Sequence, residues 1–382
     1  MRFLCSSSVW FAGGRLSGWL RVGTETGIQN AAGKGGGSMK ANIQAGYNHN
    51  RQKLAELVPL STPFALHIAP THRCNFRCHY CTHGLGAVGK QKAGLTETDF
   101  PVEYLPRLVE QVKEFTEPLK MISFTGLGES LLYPELPKMI RLLSQAQSAE
   151  TYDIITNGYL LTPEKTDQLI AAGLNNLRIS LQGLTAEKYR EVSGVKIDYD
   201  QLFRNIEYFY HNKGNCKLNI KIIDSCLEHP EDEQVFYQMF GDLCDTIFVE
   251  HLVEVQLSMA EKYEGLSIDT SRTMFQEKAE DRIACPYPFY MLQIDANGNV
   301  FPCCPLGLPL ELSVGNMFQD TLKHIWHGKK LYDLWTQNLK GKRSEHPVCG
   351  RCTAYQCFTP PEDNLDLERE QILKKVEERG YV

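Results

Sequence analysis

The sequence predicts an α/β protein: a partial (β/α)6 barrel, TIM-like but not closed by eight repeats, followed by a small cysteine-rich domain. Three observations carry this prediction. From residue 64 onward, short β-rich runs alternate with amphipathic helical patterns, as successive βα units on a parallel sheet do. Six such units follow one another without a large insertion, so right-handed crossovers leave a barrel or an open, curved barrel segment. The 13 cysteines concentrate at 74–81 and 285–357, outside most of the repeats.

The elements can be justified in order. Residues 1–38 begin MRFLCSSSVWFAGGRLSGWL, an apolar run broken by Ser and Gly that leads into GKGGGS. That pattern is a poor signal peptide and has no packing periodicity. It is expected to be a disordered extension, with Met39 as the true start. Residues 39–63 form a lead-in too short for a core of its own. The strands then read FALHIAPT (64–71), KMISFTG (120–126), TYDIITN (151–157), NLRISLQ (176–182), KLNIKII (217–223) and TIFVEHL (246–252). Between them, Leu136, Met139, Ile140 and Leu143 recur at i, i+3, i+4 and i+7, one apolar helical face. Thr162 before Pro163 starts the next helix, Gly173 sits where its C-terminal cap belongs, and Leu202, Phe203, Ile206 and Phe209 repeat the pattern. The barrel is placed at 64–255, a polar linker at 256–280, the cysteine-rich domain at 281–357 and a C-terminal helix at 358–382.

Composition excludes several functions. A net charge of −6 with no basic run argues against a nucleic-acid partner. No apolar stretch approaches the roughly 18 residues of a bilayer span, so a soluble, cytoplasmic protein without a membrane partner is expected. Disulfides suit small secreted domains, whereas cysteines clustered at short spacing in a long chain point to metal.

THRCNFRCHYCTHG, residues 71–84, ends the first strand, where a barrel keeps its chemistry. Cys74, Cys78 and Cys81 supply three thiolates from one loop. With His72, His79 or His83 as a fourth ligand they could hold zinc. Holding a [4Fe–4S] cluster, three thiolates leave one iron open to an outside ligand. A thioredoxin-like redox pair fits worse, because it needs a two-residue spacing on another topology.

The arrangement resembles the radical S-adenosylmethionine (SAM) superfamily, in which this spacing holds a cluster whose open iron chelates the amino and carboxylate groups of SAM. The resemblance covers residues 64 to about 255. It places Tyr80 against adenine and matches FTGLGESLL to the family's glycine-rich segment through Gly126, Gly128 and Glu129, with Leu127 replacing the commoner second glycine. An extended glycine backbone can pair with the methionine amino group, and Glu129 can neutralise it. TNG at 156–158, including Asn157, ends the third strand as in the family. In the fourth, Leu177, Ile179 and Leu181 share one face, so Arg178, Ser180 and Gln182 face the interior, and Ser180 matches the ribose-binding position.

The second cysteine field, CPYPFYMLQIDANGNVFPCC through VCGRCTAYQC, resembles the SPASM domain of these enzymes, and more closely its shortened twitch form. Cys285, Gly298 with Cys303, the GN at 315–316, Trp326 and the closing Cys349 and Cys352 carry the match. A full SPASM domain has more cysteines and two clusters. Here Cys357 lies one residue short of the usual spacing, and no cysteine follows it. One auxiliary cluster, expected to be [4Fe–4S], is implied, with Cys304 and Cys357 as alternates. Filled by four thiolates, it would transfer electrons. Zinc is the competing occupant, since all-cysteine zinc ribbons share the C-x-x-C half. Cys5, Cys216, Cys226 and Cys244 read as packing or incidental thiols.

The implied activity is reductive cleavage of SAM to a 5'-deoxyadenosyl radical that abstracts a substrate hydrogen, with flavodoxin or ferredoxin as electron donor. Two substrates follow from the family: a small hydroxylated molecule such as a sugar or aminocyclitol, oxidised with the auxiliary cluster as acceptor, or a peptide or protein. A non-enzymatic iron–sulfur carrier would not need a SAM pocket. Strand alternation puts His67, Asn219 and Lys221 on interior faces. Glu250 and His251 compete for the sixth strand, whose register the sequence leaves open. Lys221, Glu250 and His251 are therefore the candidates for substrate chemistry.

Overall fold

A computed structural model of the chain describes residues 39–46, 50–254, 257–259, 266, 268–304 and 309–381. The extension at 1–38, with Cys5, lies outside the described residues. Ten strands form one sheet: β1 (Asn42–Ile43), β2 (Ala65–Ile68), β3 (Leu119–Phe124), β4 (Ala149–Thr156), β5 (Asn176–Leu181), β6 (Lys217–Ile223), β7 (Thr246–Glu250), β8 (Met291–Ile294), β9 (Asn299–Phe301) and β10 (Gly315–Asn316). Their order is β1-β7-β6-β5-β4-β3-β2-β8-β9-β10.

The middle of that order, β2 to β7, is the run of six parallel strands expected from the alternation. Its outer face is apolar because every second residue points there: Leu177, Ile179 and Leu181 on β5 are each at most 1% exposed. Helices cover that face. The helix Leu136–Gln145 buries Leu136, Met139, Ile140 and Leu143, the predicted stripe. Thr162 caps Pro163–Ala171 by accepting from Lys165 N at 3.3 Å, and Gly173 follows that helix at φ +98°, a conformation costly for any residue with a Cβ.

Both edges of the sheet were invisible to periodicity. Two residues of the lead-in form β1 and pair with β7, Asn42 opposite Thr246. Strand β8 pairs in parallel with β2, Ala65 opposite Met291, and antiparallel with β9. The cysteine-rich region thus begins as a strand of the barrel sheet. A four-residue run such as MLQI is too short to show a period, and its partner is far away in sequence.

The described part of the 256–280 segment is packed. Met274 N donates to Cys357 O (2.9 Å), His251 N donates to Met274 O (3.0 Å), and Thr273 is buried. The lead-in is also tied down: Arg51 Nε donates to Asp363 Oδ1 at 3.1 Å, and Gly46 O accepts from Arg178 Nη1 at 3.1 Å.

Candidate active site

The loop after β2 is fixed before any metal is considered. Arg77 N and His79 N donate to the carbonyls of Ser193 and Val192 at the end of the helix Ala186–Ser193 (2.8 and 3.0 Å), and Cys81 N turns back to Cys78 O (3.0 Å). Gly128 lies against the loop's entry. A Cβ there would stand 2.4 Å from Thr71 O and 2.5 Å from Arg73 O, so only glycine permits the approach. Glu129 N then donates to Arg73 O at 2.8 Å.

The predicted SAM-binding residues are gathered at this end of the strands, and several hold one another. The Glu129 carboxylate is 4% exposed and accepts from Leu131 N (3.0 Å), Thr156 Oγ1 (2.7 Å) and Asn157 N (2.8 Å). Burial raises its pKa, and those three donors oppose the shift. One acceptor position on Oε2 is left for a ligand. Asn157 Nδ2 donates to Asn75 Oδ1 inside the cysteine loop (2.8 Å), and its own Oδ1 accepts from Tyr159 N (3.0 Å). Gln182 Oε1 accepts from Tyr80 Oη and from Cys78 Sγ (3.3 Å), while its Nε2 donates to Ser180 O (3.0 Å). Asn157 and Gln182 therefore brace the loop from β4 and β5.

The donor set fits an iron–sulfur cluster. Burial pushes the Cys74 thiol up to about 12 and, with Cys81 and Cys74 adding to it, the Cys78 thiol well above its ordinary value, so both become thiolates only around a positive centre. Asn75 Nδ2 is buried without a partner, a donor of the kind that bonds cluster sulfurs. Two of the three histidines weighed as zinc ligands have other roles: His83 Nε2 bonds Leu127 O at 2.6 Å, and His72 Nδ1 bonds Thr96 Oγ1 at 3.1 Å. Asn75 lies inside the motif yet escaped the sequence reading, because an amide between cysteines has no spacing signature.

The second field converges as well. Cys285, Cys303, Cys349 and Cys352 line a single cavity whose remaining walls are largely apolar, including Leu312 and Leu334; neither Cys304 nor Cys357 lines it. Burial raises all four thiols, and Cys352 raises Cys285, Cys303 and Cys349 further. No three Cys, His, Asp or Glu side chains among the described residues are placed to hold a single metal ion. The four cysteines instead line one shared space, as a cluster's ligands would. Arg343, which the sequence reading missed, stands over them: Nη1 donates to Cys349 O and, at 3.4 Å, to Cys352 O, and its guanidinium lies 3.7 Å above the Tyr355 ring. Cys304 packs instead with Ala65 and Met121 at the bottom of the barrel interior, and Cys216, Cys226 and Cys244 are buried.

On the interior face, Arg178 Nε donates to Asp153 Oδ1 (2.9 Å), whose carboxylate also takes Ser123 Oγ and Asn176 Nδ2 (2.6 Å). The register Ile223 opposite Glu250 settles the sixth strand: Glu250 shares the face of Lys221, and the two pair at 2.6 Å. His251 lies past the strand end with both nitrogens engaged, Nδ1 by Asp224 Oδ2 (2.5 Å) and Nε2 by Asp269 O (2.8 Å). Ser180 stands opposite Lys221 on the interior face.

An open parallel βα sheet with three thiolates in the loop after its first strand, and a four-thiol cavity beyond, defines the class: a SAM-dependent radical fold with an auxiliary iron–sulfur site. Comparison with known proteins agrees. Residues 68–225 match the radical SAM superfamily and residues 285–353 match the SPASM iron–sulfur cluster-binding domain. The chain thus carries a radical SAM domain followed by a C-terminal SPASM domain. Its cofactors are accordingly a [4Fe–4S] cluster, SAM and auxiliary iron–sulfur.

Among curated relatives, GTP 3',8-cyclase of Chlorobaculum tepidum is 26% identical over 63% of this chain and 68% of its own length. The enzyme of the same name from Picosynechococcus sp. is 35% identical over 41% of this chain and 47% of its own. Among solved structures, Streptococcus suis SuiB bound to S-adenosylmethionine aligns with a TM-score of 0.53 at 17% identity, over 80% of this chain and 74% of that one. That likeness is one of fold. No described helix is long and apolar enough to cross a membrane.

Proposed function

We propose that the chain oxidises a small hydroxylated molecule, a sugar or aminocyclitol, and that the auxiliary cluster receives the departing electron. One observation carries the choice of substrate. Arg178 and Lys221, cations on the interior face, are each committed to a carboxylate, Asp153 and Glu250. A triphosphate, which the relatives named GTP 3',8-cyclase accept, needs uncompensated cations. A hydroxylated ring needs hydrogen-bonding groups, which the interior supplies.

In this reading Gly126, Gly128, Glu129 and Ser180 hold SAM, Tyr80 packs on its adenine, and Asn157 and Gln182 keep the loop in place. When bound, the cluster and SAM supply the 5'-deoxyadenosyl radical. The protein orients the substrate and excludes water. Cys285, Cys303, Cys349 and Cys352 hold the acceptor, and a flavodoxin or ferredoxin supplies the priming electron. Peptide modification is the alternative: a SuiB structure is described as bound to a precursor peptide, a property of that protein.

The test is anaerobic incubation with reductant, SAM and three substrate sets: sugars and aminocyclitols, GTP, and peptides encoded near the gene. The expected result is 5'-deoxyadenosine matched mole for mole by a ketone derived from a sugar or cyclitol. Turnover of GTP or of a peptide in its place would overturn the proposal.

A further inference from the structure

The interior face of the barrel is tiered. On β2 it presents Ala65 and His67, with Ala69 just past the strand end; on β3, Met121 and Ser123; on β8, Met291 and Gln293. The lower tier is apolar, with Ala65, Met121 and Met291 packed against Tyr290, Cys303 and Cys304 on the auxiliary side. The upper tier belongs to the SAM side: a Cβ on Gly126 would stand 3.3 Å from Ala69 Cβ and 3.8 Å from the Gln293 amide. Ala65 to Ala69 spans roughly 13 Å along the strand, the height over which the tiers are stacked.

The middle tier is polar and incompletely bonded. Ser123, Asp153 and Arg178 satisfy one another. His67 Nδ1 and Gln293 Oε1 do not: both atoms are buried without a hydrogen-bond partner, and Gln293 is 1% exposed. The two residues are opposite each other in the β2–β8 register. Burial, with Arg178 nearby, lowers the His67 pKa to about 4, so the ring is neutral near pH 7. A buried acceptor left unpaired in this way is either a defect of the fold or a place kept for a ligand.

We propose that His67 and Gln293 form the substrate-hydroxyl site, in which a neutral polyol ring lies between the SAM tier and the auxiliary tier. A hydroxyl is both donor and acceptor, so it can satisfy Gln293 Oε1 and either tautomer of His67. Arg178 beside His67 disfavours a cationic group at this point, so a ring that carries amines would turn a hydroxyl to it, and the pairing of Arg178 with Asp153 leaves nothing for an anion. Gln293 comes from the SPASM-side strand, so the second domain supplies a wall of the substrate site as well as the auxiliary thiols. The choice of a polyol rests on the function proposed above.

Anaerobic calorimetry on the reconstituted full chain with SAM tests this, using myo-inositol and GTP as probes. Myo-inositol should bind, and His67→Phe and Gln293→Leu should each weaken it by about tenfold or more. Replacing an unpaired buried acceptor by an apolar group should leave the melting temperature equal or higher, which a structural role would not allow. If Gln293→Leu does not fold, Gln293→Met carries the same test. Failure of myo-inositol to bind the wild type, preference for GTP, or an affinity changed by less than about twofold in both variants would overturn the site. The two proposals fail separately. Polyol bound at His67 and Gln293 but never oxidised sinks the reaction and spares the site, whereas ketone formation with undiminished polyol binding in the variants does the reverse.

Discussion

The two thiol sites are built in opposite ways. Cys74, Cys78 and Cys81 come from one short loop, which Asn157, Gln182 and the end of the helix Ala186–Ser193 hold by hydrogen bonds. Cys285, Cys303, Cys349 and Cys352 come from separated segments and meet around a largely apolar cavity. A loop fixed by its neighbours keeps its shape without iron. A cavity whose walls share little except thiols has the cluster as its own core, and metal binding there is part of folding.

The largest expected effect tests the first half of that contrast. Replacing Cys74, Cys78 and Cys81 together by Ala should remove about four iron per chain and abolish 5'-deoxyadenosine formation. Circular dichroism should stay close to wild type, since the loop's bonds are mainly to backbone and to Asn75. Retained SAM cleavage in this variant would rule out the radical mechanism for this loop.

Replacing Cys349 and Cys352 should act the other way. SAM cleavage should persist, the oxidised product should disappear, and the 285–357 region should become the first site of proteolysis. A folded variant that still makes full product would show that the auxiliary site is structural. About one zinc found there in the wild-type protein would remove its electron-transfer role.

The same contrast explains what the sequence made legible. The first site lies within one loop and at strand ends of strong alternation, so spacing and period located it. Six central strands were visible for the same reason, as was the apolar stripe from Leu136 to Leu143. Edge strands of two to four residues carry no period, so β1 and β8 to β10 emerged only from pairing. Gln293 was hidden with β8. Arg343 was hidden because a lone arginine among surface charges carries no mark of the thiols it covers. The register of β7 needed its neighbour: only the pairing of Ile223 with Glu250 separates Glu250 from His251.

A smaller effect is expected at the brace between β3 and β4. Glu129→Gln keeps the shape but puts an amide N–H against one of the donors now facing Glu129, Leu131 N, Thr156 Oγ1 or Asn157 N. Leaving one such donor unpaired should cost about 1–3 kcal/mol in urea unfolding, with weaker SAM binding. Full stability together with a loss of SAM affinity would mean that the carboxylate serves the ligand and not the brace.

The subtlest test separates charge from clamp at the auxiliary cavity. Arg343 donates to the carbonyls of Cys349 and Cys352 and stacks on Tyr355, so it could serve only to fix the C-x-x-C turn. Yet its charge also lowers the pKa of Cys285, Cys349 and Cys352, against the larger effect of burial. A cation that favours thiolates also favours the more negative, reduced state of a cluster they hold. Arg343→Gln should therefore make the auxiliary potential more negative, and Arg343→Lys, which keeps the charge but loses the fork, should shift it less. Potentiometric titration followed by electron paramagnetic resonance reads both variants, with iron content as the control. Equal shifts in the two would assign the effect to the lost clamp, and an unchanged potential in both would leave Arg343 no electrostatic part in the electron's exit.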